Sequence, residues 1–341
     1  MSRSPRLLVV LLNWRTPDMT LRAAESALVA MRHLRAELVI VDNDSGDGSF
    51  EKIAKGLQAP WAKAAPVRLI QSGRNGGFGA GNNVGIRAGL SDGSRPDYVY
   101  ILNSDAFPAP DAIRLLLGHL ERHPEAGFAG SYIHGEDGVP HITAFRFPSV
   151  ASEFEGAARF GPITRLLREH VVPLPLPRGT TRVDWLAGAS LMMRHSVLDR
   201  IGLFDETFFL YFEETDLCLR AARAGFETHY VRASEVLHIG SVSTGMKRWT
   251  RVPGFWLDSR WHYFSKNHGR GGAVLATLAH GAGGLLWRAR RLLQRKPRVD
   301  PPRFLRDLIS HDLSALTRPL PGVRETPAPR DAAVAQAARA E

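Results

Sequence analysis

Glu37-Leu38-Val39-Ile40-Val41, residues 37–41, runs straight into Asp42-Asn43-Asp44-Ser45-Gly46-Asp47-Gly48-Ser49, residues 42–49. A short apolar run closed by turn-forming residues reads as a strand covered on both faces. Upstream, Arg6–Leu12 is a second such run. Between the two, Pro17–Met31 repeats apolar residues at Leu21, Ala24, Leu28 and Met31, a helical spacing opened by proline. Downstream, the pattern predicts a short helix near Phe50–Gly56, a strand at Val67–Gln71 and a glycine-rich turn at Asn75–Asn83 that leads into a helix ending at Ala88. A strand at Tyr98–Leu102 follows, closed by Asn103-Ser104-Asp105. Pro110–Arg122 is amphipathic, with Ile113, Leu116, Leu117 and Leu120 on one face, and Gly127–Gly130 is a fifth strand. This alternation predicts a mostly parallel α/β sheet flanked by helices. Such sheets bind ligands beyond the carboxyl ends of their strands, so the polar clusters at Asp42, Asn75 and Asp105 are expected to face one crevice.

Regularity fades over residues 131–180, which include Pro173-Leu174-Pro175-Leu176-Pro177 and are expected to form a loop-rich excursion over the site. Val183–Met193 is expected to be a strand kinked at Gly188. A helix from Glu213 is expected to end at Gly225, and residues 250–315 are expected to be helical. Residues 316–341, rich in Pro and Ala without apolar periodicity, are expected to be disordered.

With 341 residues and 44% apolar content, the chain can bury a large core. Its single cysteine, Cys218, excludes an internal disulfide framework and fits a reducing compartment. The run Leu7–Leu12 is too short for a signal peptide. Net charge is +10, concentrated at Arg288, Arg290, Arg291, Arg295, Lys296, Arg298, Arg303 and Arg306. That cluster has no interleaved aromatics and no nucleic-acid module, so nucleic acid is not expected as a partner. Just before it, Gly271–Trp287 is apolar and rich in Ala and Gly, at the lower edge of the length that spans a bilayer. Residues 271–306 read as an interfacial helix on an anionic membrane, with a core helix as the competing reading.

The chemistry concentrates in Leu203–Arg220, where Glu213, Glu214 and Asp216 follow an aromatic run expected to be buried. Carboxylates beside apolar surface are raw material for a general base, although the dipole at a helix start also explains them. His238 stands 24 residues beyond Glu214. Asp105, closing an apolar strand, suits a divalent ion on a diphosphate, or a turn before Pro108. Asp42 and Asn43 could hydrogen-bond a base edge or ribose. The 42–49 segment lacks the spacing and the twelfth-position glutamate of an EF-hand. Gly79, Gly81 and Gly85 do not form a dinucleotide fingerprint, because the third glycine is one residue late and the turn follows the third strand. Asn75, Asn82 and Asn83 beside those glycines suit either close backbone approach to a ligand or a tight turn.

In order, the chain carries Val9–Trp14, Val41–Ser49, Asn75–Gly85, Leu102–Asp105, Gly202–Arg220 and His238. This set resembles the inverting family 2 glycosyltransferases of the GT-A type, and within them the bacterial rhamnosyltransferases of cell-surface polysaccharide assembly, over roughly residues 6–265. The resemblance implies a Rossmann-like GT-A domain over 1–245, with a nucleotide-sugar half (about 1–130) and an acceptor half (about 131–245). A C-terminal helical segment would follow over 246–315. It implies donor contacts from Asn13, Asp42, Asn43, Asn75, Gly76, Phe78, Asn82, Asn83, Asn103 and Ser104. Asp105 and His238 would hold Mg²⁺ or Mn²⁺. Glu214 would be the general base, with Glu213 and Asp216 orienting it or the acceptor. Trp185, Gly188 and Ala189 would line the acceptor side. The implied donor is a nucleotide-diphospho sugar, foremost dTDP-L-rhamnose. The implied acceptor is a glycan or a polyprenyl-diphosphate-linked sugar, and the implied place is the cytoplasmic face of the membrane. Two departures stand out: the metal motif opens with Asn103 in place of a carboxylate, and Glu213-Glu214 replaces the usual Glu-Asp pair. Asn103 is what supports the alternative of a non-catalytic nucleotide-sugar-binding scaffold.

Overall fold

The structure, a computed structural model, describes residues 4–240 and 249–318. The elements in chain order are β1 (Arg6–Asn13), α1 (Pro17–Ala30), β2 (Arg35–Asp42), α2 (Ser49–Gly56), β3 (Val67–Gln71), α3 (Phe78–Ala88), β4 (Tyr98–Asn103), β5 (Ala106–Pro108), α4 (Ala112–Arg122) and β6 (Ala126–His134). They continue with β7 (Ala144–Phe145), α5 (Val150–Ala158), α6 (Gly161–Leu166), β8 (Thr181–Val183), β9 (Trp185–Leu186), β10 (Ser190–Arg194), α7 (His195–Ile201), α8 (Glu213–Arg223), β11 (Glu227–His238), α9 (Gly254–Leu293) and α10 (Phe304–Ala315).

The main sheet runs β3-β2-β1-β4-β10-β6-β11-β5, with β8 also on β11. Its continuous apolar runs follow from double coverage. Leu7, Val9, Leu11, Leu38 and Ile40 face α1 and α4, while Leu8, Val10, Val39 and Val41 face α3, α7 and α8. Pairing is parallel from β3 through β4 and between β6 and β11. β10 is inserted antiparallel between β4 and β6.

Two antiparallel pairings position the site. β10 starts beside the end of β4, so the Asn103 amide donates to the Ala189 carbonyl at 3.1 Å. β5, which the sequence reading missed, pairs with the end of β11 in the register His238↔Ala106. This sets His238 beside Asp105.

The expected loop-rich excursion over 131–180 is corrected. β6 continues to His134, and α5 forms with a capping box between Ser149 and Ser152. Serine replaces the usual Glu or Gln of that motif, which hid the helix start. The expected strand at Val183–Met193 is three short strands, with Ala187-Gly188-Ala189 outside regular structure. The glycine-capped end of α8 and the helical character of 250–315 are as expected, with Gly225 at φ 89°. α9 breaks at Gly269 (φ 73°, ψ 166°). The tail expected to be disordered lies, from residue 319 on, outside the described residues.

Candidate active site

At the carboxyl edge of β1, β2 and β4 lies a cavity of about 340 Å³. Asn103, Ser104, Asp105 and His238 line it from the strand ends, Asn43 from the loop after β2, Asn75 and Phe78 from the segment that opens α3, and Gly188 and Ala189 from just before β10. Glu213 and Glu214 enter it from the first turn of α8. Segments spread from Asn43 to His238 thus meet at the carboxyl edge of the sheet.

His238 Nε2 lies 3.1 Å from Asp105 Oδ1, and Asp105 Oδ2 accepts the Gly240 amide at 3.1 Å. Glu214 Oε1 accepts the Gly188 amide at 3.3 Å. Among the described residues, the second carboxylate oxygens of Glu213 and Glu214 are buried without a partner. At a helix start the dipole favours their ionised forms. Burial outweighs it: desolvation raises the pKa of both carboxyls, and the charge of Glu214 pushes Glu213 further above the usual range. The two titrate as a pair.

Backbone strain aims these carboxylates. Tyr211 and Phe212, directly before α8, both have left-handed φ values, 71° and 70°. Two bulky residues in that region cost free energy that the surrounding packing must hold. The Phe209 carbonyl, just upstream, accepts the Phe78 amide at 3.0 Å. Gly77 sits at φ 91° against that carbonyl, where any Cβ would collide with it. Only glycine allows the loop before α3 and the loop before α8 to join here.

Several predicted residues lie outside the cavity lining. Asp42 is committed to Asn13 Nδ2 and Ser45 Oγ, both at 2.6 Å. Asn83 clamps Phe204 and Glu206, and Asn82 bonds the Phe78 carbonyl. Gly76 packs on Ala80. Trp185 stacks on Phe145 at 4.2 Å and donates to the Arg146 carbonyl. Asp216 is fully buried and pairs with Arg220 and Lys266, tying α8 to α9. The sequence reading missed the aromatic walls Trp14, Phe209, Tyr211 and Phe255. Trp14 follows a strand end and was legible. The run 208–212, expected to be buried, divides: Phe208 is buried and Phe209 is 39% exposed. A separate group, Glu125, Glu227 and His229, could also hold a metal ion. It lies toward the opposite end of β11 from His238, roughly 20–30 Å away along the bulged strand.

Replacing Glu213 with Gln is expected to stabilise the fold above neutrality. Its folded pKa lies above the unfolded value, so ionisation weighs against the native state as pH rises through that interval, and not below it. The variant's thermal midpoint should exceed the native one by roughly 2–4 °C at about pH 8 and match it near pH 4. An equal gain at both pH values would refute the buried-charge account.

The layered sheet with this edge cavity is the architecture of a GT-A glycosyltransferase. The solved structure of the mannosyltransferase PcManGT from Pyrobaculum calidifontis, in complex with GDP-Man and Mn²⁺, shares the fold at TM-score 0.53 and 14% identity, over 92% of this chain and 81% of that one. The Glycosyl transferase family 2 model matches residues 9–173, and the Glycosyl transferase family group 2 model matches residues 98–289. The N-acetylglucosaminyl-diphospho-decaprenol L-rhamnosyltransferase of Mycobacterium tuberculosis is 33% identical over 223 residues, 61% of this chain and 68% of that protein. The rhamnosyltransferase WbbL of Escherichia coli K12 is 31% identical over 165 residues, 48% of this chain and 60% of that protein. The chain belongs to glycosyltransferase family 2, and it is a rhamnosyltransferase-like glycosyltransferase.

Proposed function

We propose that this enzyme transfers L-rhamnose, with inversion, from dTDP-rhamnose to a hydroxyl of a glycan or polyprenyl-diphosphate-linked acceptor, with Glu214 as general base. The observation that carries this reading is the pair of buried carboxylates, each with an unpartnered oxygen, on the same cavity as Asp105 and His238. The names of two relatives support the sugar: both are rhamnosyltransferases, and one acts on a diphospho-decaprenol-linked sugar.

In this reading the acceptor enters beside Gly188 and Ala189. The Gly188 amide holds one oxygen of Glu214, and the other takes the proton of the acceptor hydroxyl. The acceptor oxygen forms its bond to the anomeric carbon as the bond to the diphosphate breaks on the opposite face. That geometry inverts the configuration. Glu213, held beside Glu214, keeps the pair's affinity for the proton high. Phe78, Phe209 and Tyr211 exclude water from the attack path.

Asp105 and His238 suit a divalent cation, Mn²⁺ or Mg²⁺. Imidazole with carboxylate is a common transition-metal donor set, and Mn²⁺ matches it better than Mg²⁺. No lysine or arginine lines the cavity among the described residues, so a diphosphate there would otherwise meet the carboxylates of Asp105, Glu213 and Glu214 without a lysine or arginine to offset its charge. Bound there, the cation would neutralise the departing diphosphate's charge. Asn103 adds an amide, not a charge, so His238 carries more of the binding.

Chelation is expected to lower transfer by about 100-fold or more, with recovery on adding Mn²⁺ or Mg²⁺. His238→Ala should raise the metal concentration needed for half-activation. Full transfer after exhaustive chelation would sink the metal assignment. For the donor, a panel of nucleotide sugars should show dTDP-rhamnose giving the largest rise in thermal midpoint, since a ligand bound to the native state stabilises it by mass action. A larger rise with a GDP or UDP sugar would overturn the rhamnose reading.

A further inference from the structure

Beyond Gly269, α9 inverts the usual order of a surface helix. Its inward face, with Ala273, Ala276, Gly283 and Trp287, is buried, and Gly283 meets the backbone of α5 at Phe154 and Ala158. On the outward face, every exposed residue from Gly271 to Leu293 is apolar, namely Gly271, Leu275, Leu278, Ala282, Leu285, Ala289, Leu292 and Leu293. Four of those leucines, at 275, 278, 285 and 292, are 56–70% exposed. The spacing alternates four and three residues, so the apolar positions form one straight stripe, about 30 Å long at 1.5 Å per residue. A solvated helix face normally carries its charges there.

The charges lie beside and beyond the stripe, and they have one sign. Residues 271–299 contain six basic side chains, Arg288, Arg290, Arg291, Arg295, Lys296 and Arg298, and no acidic one. None of the exposed basic residues between 288 and 306, at positions 295, 296, 298, 303 and 306, lies inside the leucine stripe. A second copy of this chain on the stripe would bring two like-charged flanks together. An anionic bilayer would instead satisfy both features, taking the leucines at the headgroup–acyl boundary and attracting the arginines. No described helix is long and apolar enough to cross a membrane, so this contact lies in the plane of the surface.

We propose that the outward face of α9 from Gly271 to Leu293 is a docking surface for an anionic membrane, on which the helix lies flat. The sequence reading set a membrane helix against a core helix. The two faces of α9 divide those roles, and the leucines, rather than the arginines alone, provide the contact. This inference is independent of the donor, the base and the metal, because binding to lipid requires no turnover.

The test is flotation of the full-length protein with vesicles of equal parts phosphatidylglycerol and phosphatidylcholine, against vesicles of phosphatidylcholine alone. The native protein should favour the anionic vesicles by about tenfold or more. Leu278→Glu with Leu285→Glu should abolish flotation and leave the thermal midpoint unchanged, since both positions are exposed. Arg295→Glu, Lys296→Glu and Arg298→Glu together should remove the preference for anionic lipid. Undiminished flotation of the double-leucine variant would overturn the proposal, including the case where the basic variant alone loses binding. So would a native dimer that ignores vesicles and becomes monomeric in the leucine variant, because the occupant would then be a second copy.

Discussion

The Glu214→Gln enzyme is expected to transfer sugar about 10²–10⁴-fold more slowly than the native enzyme while binding the nucleotide donor with unchanged affinity. The amide keeps the shape of the side chain and can still accept the Gly188 amide through its oxygen, so the wall of the cavity stays in place. What it lacks is a lone pair basic enough to take the acceptor proton. The pH profile adds a second readout. Burial raises the pKa of Glu214 above the ordinary carboxylate range, so kcat/KM should rise with pH through an apparent pKa above that range. Glu213→Gln should leave the rising limb close to its native position with most of the turnover retained, because burial is what raises Glu214, whereas the charge of Glu214 is what pushes Glu213 further up. Glu214→Asp should recover part of the lost rate, because it restores the carboxylate one methylene short. Near-native turnover of Glu214→Gln would end the assignment. A collapse confined to Glu213→Gln would pass the base to Glu213.

The half of the chain that the sequence read well is the half governed by local rules. β1, β2 and β4 carry the unbroken apolar runs Leu7–Leu12, Leu38–Val41 and Tyr98–Leu102 because helices cover both faces of the sheet, and each run ends where a polar cluster begins. What was not legible depends on pairing between distant segments. Asp105 meets His238 only because three residues of β5 add to the end of β11, a contact across 133 residues that no periodicity announces. Gly188 reaches Glu214 because β10 runs antiparallel beside β4. Phe255 joins the cavity from α9, whose course relative to the sheet is set by tertiary ion pairs. Asp42 and Asn83 show the converse. Their residue types suit a ligand, yet their polar atoms are bonded to Ser45, Asn13, Phe204 and Glu206, so they shape the loops that present Asn43 and Phe78.

Arg260→Met is expected to destabilise the fold by about 3–5 kcal/mol, the usual consequence of removing one member of a buried ion-pair group. Arg260 is 1% exposed on α9 and joins three helices. Its guanidinium donates to Glu153 of α5 at 2.8 Å and to Asp312 of α10 at 3.0 Å. Without it, two carboxylates share a buried space with only His280 and His311 as nearby counter-charges. Replacing all three, with Glu153→Gln and Asp312→Asn added to Arg260→Met, should recover most of the loss, because no uncompensated charge then remains. Acid and base should each weaken the native group, through different members. Burial pushes the Glu153 carboxyl up, but Arg260 and His280 outweigh it and hold the pKa at about 2, so its contribution is complete above the unfolded value of 4.5 and fades as pH falls toward 2. Burial pushes the His311 imidazole down, but Asp258 and Asp312 outweigh it and lift the pKa to about 9, so its contribution is complete below the unfolded 6.5 and is lost as pH rises through 9. Urea midpoints across this range should therefore show these two contributions together at their fullest between about pH 4.5 and 6.5, and in Arg260→Met the acid limb should shrink and end at higher pH. A loss under about 1 kcal/mol would show that the guanidinium only offsets its own desolvation. In the mechanism proposed above the consequence also reaches catalysis, because His262 and Lys266 on the same stretch of α9 hold Asp205 and Asp216, which fix the loop and helix that carry Glu213 and Glu214.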